Sequence, residues 1–550
     1  FEAAGEEALG DDPALAARLF AAAADAGRPA AARRALATAL TGDLDLAARL
    51  ADRTVATGTP AQRAEAAYVA AVAMAHRGQL DRAADLLQWA GPGPAGGFRS
   101  VGLVGTGRAA EAGESAPGTA GDGPPTLLHA TASLLARGVR ESVTGEPAVA
   151  LSTLVQASTL LEPAGAAVLL PDSPAALAAL VALHSADLDV ADVTLERAVR
   201  TGQGGPLLAP RHLLLQAWTR MLRGHLTAAG QLAAAATAAA RRPVPAAAET
   251  GVPATGGRDL LFAAALRVAL ARRDSDLVGL RAVWPDACQV LIGQPVDLFM
   301  LLPLGELTVA AARLGEHRRV ATHLAEADRL LERLGDPPLW SAPLHWSRLH
   351  AAILADQPEE AERRAAALDG QRASGQLPAA LAAAAQSWLA VLADKIDPEQ
   401  VATAARDLAV LGLAWDGARL AGQAAIRTSD RKAMAVLLDC ARQLQGRPVA
   451  ADPGEAETGP RAARRVAKAA GDTPGPLLSE REQQVAALVL AGLTYKQVAD
   501  RLYLSAKTVE HHIARIRQRL GCTDRRELLS RLRELMADGT EAGGADRVVA

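Results

Sequence analysis

Only three cysteines, Cys288, Cys440 and Cys522, occur in 550 residues. Their spacing fits neither a zinc site nor a disulfide framework, which is the usage of a reducing compartment. Aromatic residues make up 3 % of the chain, so a core of any size has to be filled by small side chains. No apolar run is long enough to cross a bilayer: His225 to Ala240 is uncharged after its first residue, but it is short and interrupted by Gly, Gln and Thr. No signal-peptide pattern is present. These absences point to a cytoplasmic protein without a membrane partner. Alternation of apolar and polar residues at period two is also missing, so essentially no sheet is expected. The strand–helix alternation with acidic residues that a phosphoacceptor receiver domain needs is missing with it.

Catalytic and cofactor signatures are equally scarce. Gly102 to Ala109 has two glycines at phosphate-loop spacing. Arg108 stands where the lysine belongs, however, and Ala109 where a magnesium-binding hydroxyl belongs. His345 and His350 are five residues apart, which is not the spacing of a helical zinc pair, and no third ligand is evident. His317 and His323 read as ordinary surface or core histidines. Serine, cysteine and histidine are too scattered to build a nucleophilic site. The sequence therefore implies no catalytic residue, no metal site and no cofactor, and the chain is read as a non-enzyme.

Alanine dominates what is present. Residues 1–445 read as successive helical pairs. Gly42-Asp43-Leu44 opens one helix. Ala64 to His76 is followed by Gly78 and a second helix from Asp81, and Leu314-Gly315 precedes a helix over Arg318 to Leu334. Helix, small-residue turn and helix at spacings of roughly 30 to 45 residues resembles tetratricopeptide-type repeats. The segment from Ala66 to Ala71, with Ala83-Ala84, is one such unit. The spacing predicts an α-solenoid of helical hairpins. Gly/Pro-rich stretches near 91–125 and 242–257 are expected to be disordered insertions, 446–475 a linker, and 538–550 a disordered tail.

The tail between them is the richest in signal. Ser479 with Glu482 is a capping-box pattern and predicts a helix from about Glu480, carrying Val485, Leu488 and Val489 at helical spacing. Gly492 stops it. Thr494 with Gln497 opens a short second helix whose inner face is Val498, Ala499 and Leu502. Ser505 caps a third. Thr523 or Asp524 caps a fourth, with Leu528, Leu532 and Leu535 as its stripe. With Val509 at zero and about 100° per residue, Ile513, Ile516 and Leu520 fall on one buried stripe of the third helix. Lys507, His511, Ala514 and Gln518 face outward, flanked by Glu510 and Arg515, and His512 lies near the buried stripe. Two short helices joined by a tight turn, the second polar outside, fit a DNA major groove. From Pro476 to Met536 eleven Lys/Arg oppose seven Asp/Glu, against a net charge of −3 for the whole chain. Arg461, Arg464, Arg465 and Lys468 add to this positive end, as phosphate neutralisation requires.

This segment resembles the C-terminal helix-turn-helix of LuxR-type (GerE-like) bacterial transcription regulators. The resemblance is carried by Leu478-Ser479, Arg481-Glu482, Gly492-Leu493-Thr494, Lys496, Val498-Ala499, Leu504-Ser505, Thr508-Val509, His512 and Leu520-Gly521. It implies a small four-helix domain over 476–537 that binds double-stranded DNA. It also implies phosphate contacts from Lys496, Ser505, Lys507 and Thr508, with Glu510, His511 and Ala514 at base edges. Arg515 is read as a further DNA contact. The family often has a basic residue where Glu510 stands. An acidic side chain there can accept from cytosine N4, which leaves the site sequence open. The resemblance further implies a homodimer through the fourth helix, with Leu528, Leu532 and Leu535 as the contact, although the same leucines can instead close the small core.

The whole chain thus reads as an all-α regulator in which a repeat region senses a protein or small-molecule effector and the tail reads DNA. Large ATP-binding regulators of the LuxR type resemble this layout, with an ATPase ahead of the repeats. Because the sequence opens on Phe1 rather than Met, a fragment of such a protein is a second reading. A repeat scaffold for protein interactions is a third.

Overall fold

Proline opens many of the helices of this chain and glycine closes several. The computed structural model describes residues 1–91, 94–114, 126–240, 257–445, 480–490, 494–495, 498–499, 506–520 and 527–532, and among these every regular element is helical. They fall into two compact units, an N-terminal one of Phe1–Ala424 with Asp430–Arg447, and a C-terminal one that holds the tail helices. Pro60, Pro147, Pro174, Pro338, Pro358 and Pro398 each sit in the first turn of a helix. There a missing N–H costs nothing and a fixed φ helps. Gly78 and Gly315 take φ of +82° and +76° just beyond their helices, the left-handed turn that reverses the chain into the next helix.

In the N-terminal unit most helices pack chiefly on their sequence neighbours, although Leu301–Leu314 packs mainly on Gly257–Arg273 and Pro338–Leu354. Leu44–Thr57 lies against Pro60–His76, Leu127–Thr144 against Pro147–Leu161, and Gly205–Leu222 against Leu226–Ala240. That is the packing order of stacked helical hairpins. The helix read from Ala64 begins earlier, at Pro60. Thr59 and Gln62 form a reciprocal capping box there, a signal visible in the sequence and overlooked. Thr59→Ala is expected to cost about 1 kcal/mol in urea unfolding.

The stretch near 91–125 corrects an expectation. Far from being disordered, Pro94–Gly105 and Ala109–Glu114 are helices, and Phe98, Leu103 and Val104 are buried. Two of its glycines, Gly97 and Gly105, serve close approach rather than looping. A Cβ on Gly97 would stand 2.5 Å from the Ala132 backbone, and one on Gly105 would stand 2.8 Å from the Phe299 ring. Gly97→Val is therefore expected to destabilise by about 3 kcal/mol through overpacking, read as a lowered urea midpoint. The supposed phosphate loop is the end of this helix. Arg108 is engaged by Asp81 at 2.7 Å, Asp85 at 3.0 Å and Glu111 at 2.7 Å. The rest of that first stretch (115–125), most of the second expected insertion (242–256), the linker (446–475) and the tail (538–550) lie outside the described residues.

The array also folds back on itself. Trp340 donates its indole N–H to Ser142 Oγ at 3.2 Å, across 198 residues, and its ring rests on His184 and Phe299 with centroids 4.5 and 5.9 Å away. One hydrophobic core consequently runs from Ala71 to Leu344. Inside it lies a chain of ion pairs. Arg211 donates to Asp172 at 2.6 Å and Asp259 at 2.7 Å, while Arg258 donates to Asp172 at 2.8 Å and Asp297 at 2.6 Å. All five side chains are buried. Arg211→Met would leave Asp172 and Asp259 under-compensated in a dry core, an expected loss of roughly 3–5 kcal/mol by urea unfolding.

Candidate nucleic-acid interface

Among the described residues the C-terminal unit is built around ten buried side chains: Val485, Ala486, Val489, Val498, Ala499, Val509, Ile513, Ile516, Leu528 and Leu532. They come from four helical segments, Glu480–Leu490, the turn around Val498-Ala499, Ala506–Arg519 and residues 527–532. The first helix starts at the residue that the Ser479/Glu482 pattern indicates. The Val498 N–H donates to the Thr494 carbonyl at 2.9 Å, which makes Thr494 the residue that opens the second segment. Tyr495, unnoticed in the sequence, packs partly buried against the same core. Its signal was an aromatic residue directly after the Thr494 cap.

Ala506–Arg519 behaves as its periodicity dictates. Val509, Ile513 and Ile516 point into the core, with Leu520 partly buried beside them and His512 half-buried at the margin. Glu510, Ala514 and Arg517 are exposed. At about 100° per residue they share one strip away from the core, so the face expected to meet base edges is open. Arg517 belongs to that strip and brings a cation to it. The side chains of Lys507, Thr508, His511 and Arg515 lie outside the description, although their backbone is helical. Lys496, Ser505, Leu502 and Leu535 lie outside the described residues altogether.

The dimer contact needs correction. Leu528 and Leu532 are 1 % and 0 % exposed within this domain's own core. They close it, as the alternative reading of the leucines had it, and cannot face a partner without unpacking it. On that helix Ser530 and Arg531 are the exposed positions.

Four helical segments on one small core, with the third presenting a polar strip outward, define a helix-turn-helix DNA-binding domain. The family described as bacterial regulatory proteins, luxR family, matches residues 476–532. Over 57 residues the chain is 39 % identical to the spore germination protein GerE of Bacillus subtilis (strain 168), covering 10 % of this chain and 77 % of that protein. The chain belongs to the luxR family through this domain, and its DNA-binding module is that of a transcription regulator.

Elsewhere, His345 Nδ1 lies 3.3 Å from Arg364, and His350 Nε2 lies 3.9 Å from Asp416. Among the described residues no group of three or more His, Cys, Asp or Glu is placed to hold a metal ion, and no helix is long and apolar enough to cross a membrane.

Proposed function

We propose that the chain is a cytoplasmic regulator that reads a specific duplex sequence as a homodimer on half-sites about one DNA turn apart. Its helical-repeat unit binds an effector and performs no catalysis. The observation that carries this reading is the helix Ala506–Arg519, apolar toward its own core and open along Glu510, Ala514 and Arg517. Lys496, Ser505, Lys507 and Thr508 neutralise or cap phosphates, and Glu510, His511 and Ala514 address base edges.

The test is selection of bound sequences from random duplexes with the full chain. Lys507→Glu is expected to weaken binding to all sequences alike and to flatten its salt dependence. Glu510→Ala is expected to change which base is enriched at one position, by roughly 1–3 kcal/mol of discrimination. Selection that yields no enriched sequence would instead favour the interaction-scaffold reading.

A further inference from the structure

Two apolar cores of the N-terminal unit meet without closing. Leu9, Leu36 and Leu40 belong to the smaller one, which runs through the helices Ala31–Leu40, Leu44–Thr57 and Pro60–His76. Leu128 and Val168 pack on the edge of the larger one, and Tyr68 packs against both. Between them lies a hollow of about 350 Å³, lined by these side chains together with Glu65 and several small residues. That size and apolar character fall within the range of small-molecule pockets. The cavity bounded by Arg272, Arg273, Glu306 and Asp416 holds only about 80 Å³, and its two cations and two carboxylates cancel.

The polar side chains of the hollow, Glu65 and Tyr68, can accept but have nothing left to donate. Tyr68 gives its hydroxyl proton to the Leu169 carbonyl at 2.8 Å, which leaves its oxygen with lone pairs only. Glu65 is the charged residue of the lining. Arg33 donates to its Oε1 at 2.9 Å, but the same guanidinium also serves Glu6, from Nε at 2.6 Å and from Nη2. One cation is divided between two carboxylates, so the trio carries a net −1. The other oxygen of Glu65 accepts from nothing among the described residues. The Glu65 side chain is 29 % exposed, so a charged head can reach it while part of that head stays in water. A carboxylate ligand would meet a like charge there and find no side-chain donor. An ammonium would find complementary charge and free acceptors.

We propose that this hollow binds a small apolar amine, its hydrocarbon body against Leu36, Leu40 and Leu128 and its ammonium donating to Glu65. The proposal rests on the reading that the repeat unit senses an effector.

The test is calorimetric titration of the full chain with 2-phenylethylamine, 2-phenylethanol and phenylacetate, which share one apolar body. The amine is expected to saturate with Kd below about 1 mM, the alcohol to bind about tenfold more weakly, and the carboxylate to bind weakest of the three. Glu65→Gln should cost the amine about tenfold and leave the alcohol unchanged, whereas a merely loosened fold would weaken both. Leu36→Trp, which fills the hollow, should abolish binding while thermal unfolding shows the fold intact. Equal affinity for amine and alcohol, preference for phenylacetate, silence of the amine up to about 10 mM, or unchanged binding in a folded Leu36→Trp variant would each overturn the site. The amine is then added to the selected DNA complex. A changed DNA affinity supports the sensing reading. Saturable binding with unmoved DNA affinity keeps the site and removes the sensing role. Absent binding alongside selective DNA recognition removes the site and leaves the regulator.

Discussion

Between pH 6.5 and pH 4 the N-terminal unit is expected to lose most of its stability. The cause is a set of buried neutral histidines. Burial, reinforced by Arg211 for two of them, holds His76, His184 and His212 at about 4, against an ordinary value of 6.5. The geometry says why. His76 Nε2 lies 3.0 Å from the Leu170 carbonyl and donates to it, which leaves Nδ1 as a lone pair in the core with no partner. His184 Nδ1 donates to the Leu180 carbonyl at 2.8 Å, and its Nε2 is likewise buried and unmatched. Protonating either ring places a charged donor where nothing accepts it. The folded pKa is depressed, so this stability is fully present above pH 6.5 and is lost as pH falls toward 4. Each histidine contributes on the order of 3 kcal/mol. Three together rival the whole stability of an ordinary domain. Urea midpoints at pH 7.5, 6, 5 and 4.5 should fall steeply, and His184→Phe should remove about one proton from the slope. A flat profile down to pH 5 would show that water reaches these rings.

Such a set could not be read from the sequence, because burial belongs to the array and not to any one repeat. His76, His184 and His212 each sit among alanines and leucines in a local context that a surface helix would share. The same holds for Arg272, Glu306 and Asp416, which meet only because distant helices converge. The ion pairs of Asp172, Arg211, Asp259, Arg258 and Asp297 are invisible for the same reason.

What was legible is what short-range rules govern. Asp43 capping Leu44–Thr57, Gly78 reversing the chain, and the Val509/Ile513/Ile516 stripe are all decided within a turn or two of helix. The misreading of Pro94–Gly105 has the opposite cause. Glycine usually marks a loop, but here it admits a neighbouring backbone at Gly97, and the gain in packing outweighs its cost in the helix. The leucines of the last helix were ambiguous in sequence because an inward stripe and a dimer stripe have the same spacing. Burial of Leu528 and Leu532 resolves them.

Ile516→Asp is expected to abolish selective DNA binding, by 100-fold or more, without touching the DNA-facing strip. Ile516 is fully buried in a small apolar core, ten buried side chains among the described residues. A domain of this size holds about 3–5 kcal/mol in reserve. A carboxylate in that position, ionised or forced to take up a proton, costs at least that much, because no cation among the ten core residues can pair with it. The helix Ala506–Arg519 then loses the surface that fixes its orientation. Loss should appear as collapsed enrichment in sequence selection, while the circular dichroism of the full chain, dominated by the N-terminal helices, changes little. Ala514→Ser is the matched control: it lies on the exposed strip, leaves the core intact, and should retain binding with an altered base preference at one position. Retained selectivity in Ile516→Asp would mean that this core does not position the recognition helix, and the assignment of Glu510, Ala514 and Arg517 as its reading face would fall with it.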